Sequence, residues 1–256
     1  MVLVDSHCHL DRLRGNPPLD EVIREAAEAG VSRILCPGID MGNAAKVCAI
    51  AEQYQSVWAS VGIHPLDIGE PVSHEALLQA ASHPKVVALG ETGLDYYYST
   101  DNKQVQQESL VQHLQVAGEL GLPVIIHSRD AADDTINLLA TYASREHTGV
   151  LHCFTGDWEM AQRALDLGFY LSFSGIVTFA NAAVLQDVAK RAPANRILVE
   201  TDSPYLAPVP FRGKPNLPKY ARQVAEFVAQ LRGESLEDFA VSTTNNFHAL
   251  FRKAGR

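Results

Sequence analysis

Eight short runs of β-forming residues alternate with helical stretches along the 256-residue chain, and that alternation leaves few architectures open. The runs are VLVDSH (2–7), RILCPG (33–38), VWASVGIH (57–64), KVVALGE (85–91), LPVIIH (122–127), TGVLHCF (148–154), FYLSFSG (169–175) and RILVETD (196–202). Several are apolar on successive residues, the pattern of parallel strands covered on both faces. Leu19, Val22, Ile23 and Ala26 form a helical stripe ending at Gly30, and Leu110, Val111, Leu114 and Ala117 form another that stops at Gly121 before Pro123. Helical periodicity also fits 42–54, 131–145, 157–167, 181–191 and 219–232, with two last helices expected at 235–240 and 243–252. Eight strand–helix units make the count of an α/β protein of the (β/α)8 TIM-barrel class, a single domain over residues 1–256. A doubly wound open sheet often carries a glycine-rich phosphate loop after its first strand, and none follows VLVDSH.

In such a barrel, chemistry gathers at the C-terminal ends of the strands. His7, His9, His64, His127 and His152 fall at or just past those ends, whereas His74, His83, His113, His147 and His248 fall on helices or loops. Glu91 closes the fourth run and Asp202 the eighth. The two-residue spacing of His7 and His9 puts both rings on one face of a strand. Closing the barrel would therefore bring His7, His9, Glu91, His127, His152 and Asp202 to one mouth. One strand-end histidine is usually structural, and Asp202 before Ser203-Pro204 could cap a helix. Burying so many polar groups together without a cation is costly. Imidazoles with carboxylates suit divalent cations such as Zn, Mn, Co or Fe, and six ligands fit two ions that share a carboxylate. The expected cofactors are two divalent metal ions per subunit: Zn, Mg, Mn or a similar ion.

Charge and cysteine usage narrow the setting. The formal net charge of −9 excludes a broad basic surface coating nucleic acid, but not a nuclease, because bound cations supply local positive charge. Cys8, Cys36, Cys48 and Cys153 show no CxxC pair or framework spacing, and three lie in apolar runs where a thiol acts as a small hydrophobe. No signal-peptide pattern or membrane-length apolar stretch is present. We expect a cytoplasmic protein with no membrane association and no obligate protein partner.

The motifs DSHCHLD (5–11), VGIHP (61–65), GETGLDYY (90–97), PVIIHSRD (123–130), VLHCFTG (150–156), ETDSPYL (200–206) and RGKPNLP (212–218) run in order along nearly the whole chain. Together they resemble the TatD family of metal-dependent deoxyribonucleases, within the amidohydrolase-like barrels. The resemblance implies that His7, His9, Glu91 and Asp202 hold one metal and Glu91, His127 and His152 the other, with Glu91 bridging. Dihydroorotase-like barrels often bridge their metals with a carboxylated lysine. No lysine stands at the end of the fourth run here.

The function implied is hydrolysis of DNA phosphodiesters by a metal-activated water, exonuclease-like, on single strands or strand ends. Asp202 is expected as general base, with Glu91 as the catalytic carboxylate bridging the two metals and His64 beside the phosphate or leaving group. Arg129 and Arg212 are expected to bind substrate phosphate, Lys214 is a further candidate, and Asp5 and Asp95 should orient histidines. Tyr96, Tyr97 and Tyr98 could stack on a base or simply pack the rim. The alternative is a metallohydrolase of a small ester or amide, or of a D-aminoacyl-tRNA ester, because the same chemistry attacks a carbonyl.

Overall fold

The structure is a computed structural model that describes residues 2–15, 17–69 and 72–255. Its strands are β1 (Leu3–Asp5), β2 (Val31–Pro37), β3 (Val57–Val61), β4 (Val86–Asp95), β5 (Val124–Arg129), β6 (Gly149–Leu151), β7 (Tyr170–Phe173) and β8 (Ile197–Val199). All lie in one sheet in sequence order, each parallel to the next. The last strand meets the first just beyond their ends: Ser6 N donates to Val199 O at 3.1 Å, Asp202 N to His7 O at 2.9 Å and His9 N to Ser203 O at 2.9 Å. The expected (β/α)8 barrel is thus the fold.

Helices α1 (Leu19–Glu28), α2 (Met41–Gln53), α3 (His74–Ala81), α4 (Lys103–Leu120), α5 (Ala132–Tyr142), α6 (Trp158–Asp166), α7 (Ala183–Arg191) and α8 (Ala221–Arg232) follow the strands in turn. Their starts are chemically marked. Asp40 and Asn43 form a capping box on α2, and Ser73 and Asp157 accept the N–H of Ala76 and Met160 on α3 and α6.

Two expectations change. The helix pair at 235–240 and 243–252 is one helix, α9 (Leu236–Leu250). Thr243, Thr244, Asn245 and Asn246 have weak helical propensity, but tertiary contacts override it. Thr243 Oγ1 donates back to Phe239 O, and Asn246 Nδ2 donates to Ala194 O and Ile197 O at 2.8 Å each. The fourth strand does not end at Glu91 but runs on to Asp95. Glycine in this stretch allows close approach to β5. Gly93 has φ +146°, and a Cβ there would collide with the His127 carbonyl, its register partner's own backbone.

Inside the barrel, Val4, Leu35, Val87, Ile125, Val150 and Leu198 pack with Phe247 and Phe251 in one buried apolar cluster. Helix α9 also packs against β1 and β8. It closes the end of the barrel opposite the histidines.

Candidate metal centre

Strand alternation carries the polar residues into the mouth. Two residues beyond buried Ile125, Val150 and Leu198 on β5, β6 and β8 stand His127, His152 and Glu200. His7 and His9 follow β1, and Glu91 projects from within β4. His7, His9, Glu91 and His152 are all at most 5% exposed.

Glu91 is the hub. Its Oε1 lies 2.8 Å from His152 Nε2, 3.2 Å from His127 Nδ1 and 3.3 Å from His64 Nε2, and its Oε2 lies 3.2 Å from His7 Nε2. Asp202 Oδ1 is 3.4 Å from His9 Nε2 and 3.9 Å from His7 Nε2. The two Nε2 atoms of His7 and His9 are 3.3 Å apart, and the rings of His7 and His152 stack at 3.9 Å. All six residues expected as ligands therefore converge.

The protons decide what this cluster can hold. His127 Nε2 faces Asp95 Oδ2 at 3.0 Å, and His152 Nδ1 faces Glu200 Oε1 at 3.3 Å. Each ring donates its far N–H to a carboxylate, the arrangement that orients metal-binding histidines. A neutral ring then aims a bare lone pair at the Glu91 carboxylate. Lone pair against lone pair is repulsive, so the cluster needs either extra protons or a cation. The charge balance agrees. Burial alone would lower His152, yet Glu91 and Glu200 push it well above the usual imidazole range, and His127 and His9 are raised against burial by their carboxylate partners. Burial would raise Glu91, but His152, His64 and His7 hold it well below the carboxylate range. Asp202 is lowered against burial by His9 and His7. A divalent cation fits this donor set, displacing the protons that otherwise balance it.

His64 differs. Its Nδ1 accepts the Leu66 N–H at 3.1 Å, so the neutral ring carries its proton on Nε2. It meets Glu91 as a donor, although its distances also group it with Glu91 and His127 as a possible ligand. Burial lowers it to about 4. Asp95 orients His127 as expected, but among the described residues Asp5 hydrogen-bonds no ring. Its carboxylate accepts from Thr201 N at 2.9 Å, Thr201 Oγ1 at 2.6 Å and His7 N at 3.3 Å, tying β1 to the chain beyond β8.

The cluster floors a cleft of about 1150 Å³ whose walls include Arg12, Tyr96, Tyr98, Arg129 and Tyr205. Arg129 is at the wall as expected. Arg212 is not among the lining residues: its guanidinium lies 4.1 Å from the Phe179 ring centre. The loop holding Arg212 and exposed Lys214 serves the centre through Asn216 instead, whose Nδ2 donates to Thr201 O at 2.8 Å and Tyr205 O at 2.6 Å. Asp202 and Cys153 adopt φ of +55° and +42°, and such left-handed conformations cost a non-glycine residue about 1–3 kcal/mol and collect at functional sites. Three residues escaped the sequence reading. Glu200 shares the two-residue period of Leu198 and Asp202, and that period was its available signal. Asn216 lies inside RGKPNLP, which was read for its charges alone, and Arg12 gave no signal.

Comparisons agree with this geometry. The sequence profile of the family described as TatD related DNase matches residues 4–252. The chain is 48% identical to YcfH of Escherichia coli (strain K12), described as an uncharacterized metal-dependent hydrolase, over 98% of this chain and 96% of that protein. It is 39% identical to YabD of Bacillus subtilis (strain 168), described in the same words, over 98% and 99%. The crystal structure of YjjV, a TatD homolog from Escherichia coli K12, superposes with a TM-score of 0.91 at 36% identity, covering 98% of both chains. With its motifs in order and its barrel nearly closed, the chain belongs to the TatD family of metal-dependent hydrolases.

Proposed function

We propose that this hydrolase is a deoxyribonuclease that cuts phosphodiester bonds at a DNA strand end, using two divalent cations. His7, His9, Glu91 and Asp202 would hold one ion, and Glu91, His127 and His152 the other. When bound, such a pair supplies Lewis acidity and a water of lowered pKa. Asp202 stays ionised at neutral pH because His9 and His7 hold it low, so it is ready to accept a proton from the attacking water. His64 stays neutral, and its Nε2–H, which faces Glu91 at 3.3 Å, would turn to an oxygen of the phosphate when substrate binds. Asp95 and Glu200 fix the rings of His127 and His152.

Arg129 carries the phosphodiester reading. It lies two residues beyond His127 on β5, on the same face, one pleat further toward solvent. Among the described residues its guanidinium makes no hydrogen bond or ion pair, so its forked donors are free for a phosphate. The cleft rim also bears Asp67, Asp130, Asp133, Asp134 and Asp157. An acidic rim and a net charge of −9 disfavour long tracts of duplex and favour capture of a strand end. Four free cysteines fit a reducing cytoplasm.

The test is cleavage of 5′- and 3′-labelled single- and double-stranded DNA by metal-stripped protein given Mg, Mn, Zn or Co in turn, with His127→Ala as control. Metal-dependent shortening from one end, lost in the control, is the expected result. No cleavage by a folded, metal-loaded protein would sink the nuclease reading and turn attention to small esters, amides and D-aminoacyl-tRNA.

A further inference from the structure

We infer that Tyr97, Tyr98 and Arg129 form a subsite that stacks the unpaired base and holds the phosphate of a nucleotide at the cleft rim. This deepens the nuclease reading and rests on it for the nature of the substrate. Tyr98 lines the cleft and Tyr97 stands against it and Arg129; the two are 65% and 57% exposed, unusual for adjacent large rings. They meet edge to face, with centroids 4.8 Å apart and planes at 90°. The Arg129 guanidinium lies 4.1 Å and 4.7 Å from their ring centres. The rings position the cation while leaving its donors unspent. A cation packed on exposed aromatic rings is the combination that binds single-stranded nucleic acid, one component taking the phosphate and the other the base.

The rim is built rather than loose. The backbone N–H groups of Tyr97 and Tyr98 both donate to Asp95 Oδ1, at 3.1 and 2.9 Å. The other oxygen of the same carboxylate takes the proton of His127 Nε2 at 3.0 Å. One aspartate therefore sets the distance between the aromatic rim and a metal-binding ring. Fully buried Gln106 locks the loop from beneath: its Oε1 accepts Asp95 N at 2.8 Å and its Nε2 donates to Asp95 O at 3.1 Å. Base-paired nucleotides keep their faces stacked within the duplex and cannot use such a platform, so the subsite selects single strands and frayed ends.

The test measures binding of the metal-loaded protein to two fluorescein-labelled phosphorothioate strands of equal charge, a thymidine hexamer and a fully abasic hexamer. Wild type is expected to bind the thymidine strand about tenfold more tightly, the worth of one stacked base. Tyr97→Ser/Tyr98→Ser should bind both strands alike, Tyr97→Phe/Tyr98→Phe should keep the preference, and Arg129→Ala should weaken both strands equally. Equal wild-type affinities, or a preference that survives in the double serine variant, would overturn the subsite. Cleavage of ordinary DNA by the same wild-type sample separates the two readings. A base preference without cleavage under any metal removes the nuclease reading and leaves the subsite; cleavage without a base preference removes the subsite alone.

Discussion

At the barrel end covered by α9, Val4, Ile125, Val150 and Leu198 pack against Phe247 and Phe251; two residues further along the chain, at or just past the strand ends, stand Ser6, His127, His152 and Glu200. The strands, and the face they present inward, are the same. Only the next step of the pleat separates a dry layer from a charged one. The apolar layer supplies burial of roughly 25 cal/mol per Å². The polar layer has carboxylates and imidazoles held at pKa values that burial alone would not give. One end supplies stability, and the other uses it to hold groups that would otherwise separate.

If the two ends divide their work in this way, substitutions should divide too. The largest effect is expected from Asp202→Asn, with turnover falling about a thousandfold or more and the thermal midpoint nearly unchanged. Turnover at the wild-type rate would remove Asp202 as the base. Phe247→Ala is the mirror case. Its ring is fully buried, 4.7 Å from Phe251 and 5.9 Å from Trp58, so urea unfolding should show a loss of about 4 kcal/mol. Catalysis in the fraction still folded should persist, and a proportionate fall in its specific activity would blur the division.

His113 tests whether a histidine away from the mouth behaves as a core group. It is fully buried on α4, its Nε2 accepting Ile63 N–H at 3.1 Å and its Nδ1–H donating to Ser109 O at 2.7 Å. Burial lowers it from 6.5 to about 4. The unfolded chain therefore binds the proton more readily, and the stability His113 contributes is present above pH 6.5 and lost as pH falls toward 4. Between pH 7 and pH 5 wild type should lose about 2 kcal/mol more than His113→Gln in urea titrations. Equal losses would refute the assignment. The smallest effect concerns Glu200→Gln, which keeps the shape but weakens the pull on His152. Metal affinity should fall about tenfold by competition with a chelating dye, and an unchanged affinity would make Glu200 a bystander.

Legibility in the sequence followed the same division. The barrel could be read because parallel strands buried on both faces leave continuous apolar runs, and each candidate ligand could be read because it sits at or just past the end of such a run. What could not be read depended on distant partners. Helix α9 continues through Thr243–Asn246 because Asn246 finds carbonyls at Ala194 and Ile197, which no local propensity encodes. Strand β4 continues past Glu91 because β5 approaches Gly93 closely. Arg212 looked like a phosphate contact on charge alone, and only the folded loop places it over Phe179. Glu200 was hidden in plain alternation, since it ends no run and the motif it opens, ETDSPYL, was read for Asp202.

The central claim is that Glu91 is the carboxylate two cations share. The most direct test is the metal content, by mass spectrometry, of protein loaded with Zn or Mn and freed of excess. Wild type should hold two equivalents per chain, His127→Ala about one, and Glu91→Ala fewer than one. Two equivalents retained in folded Glu91→Ala, or a single equivalent in wild type, would contradict the account.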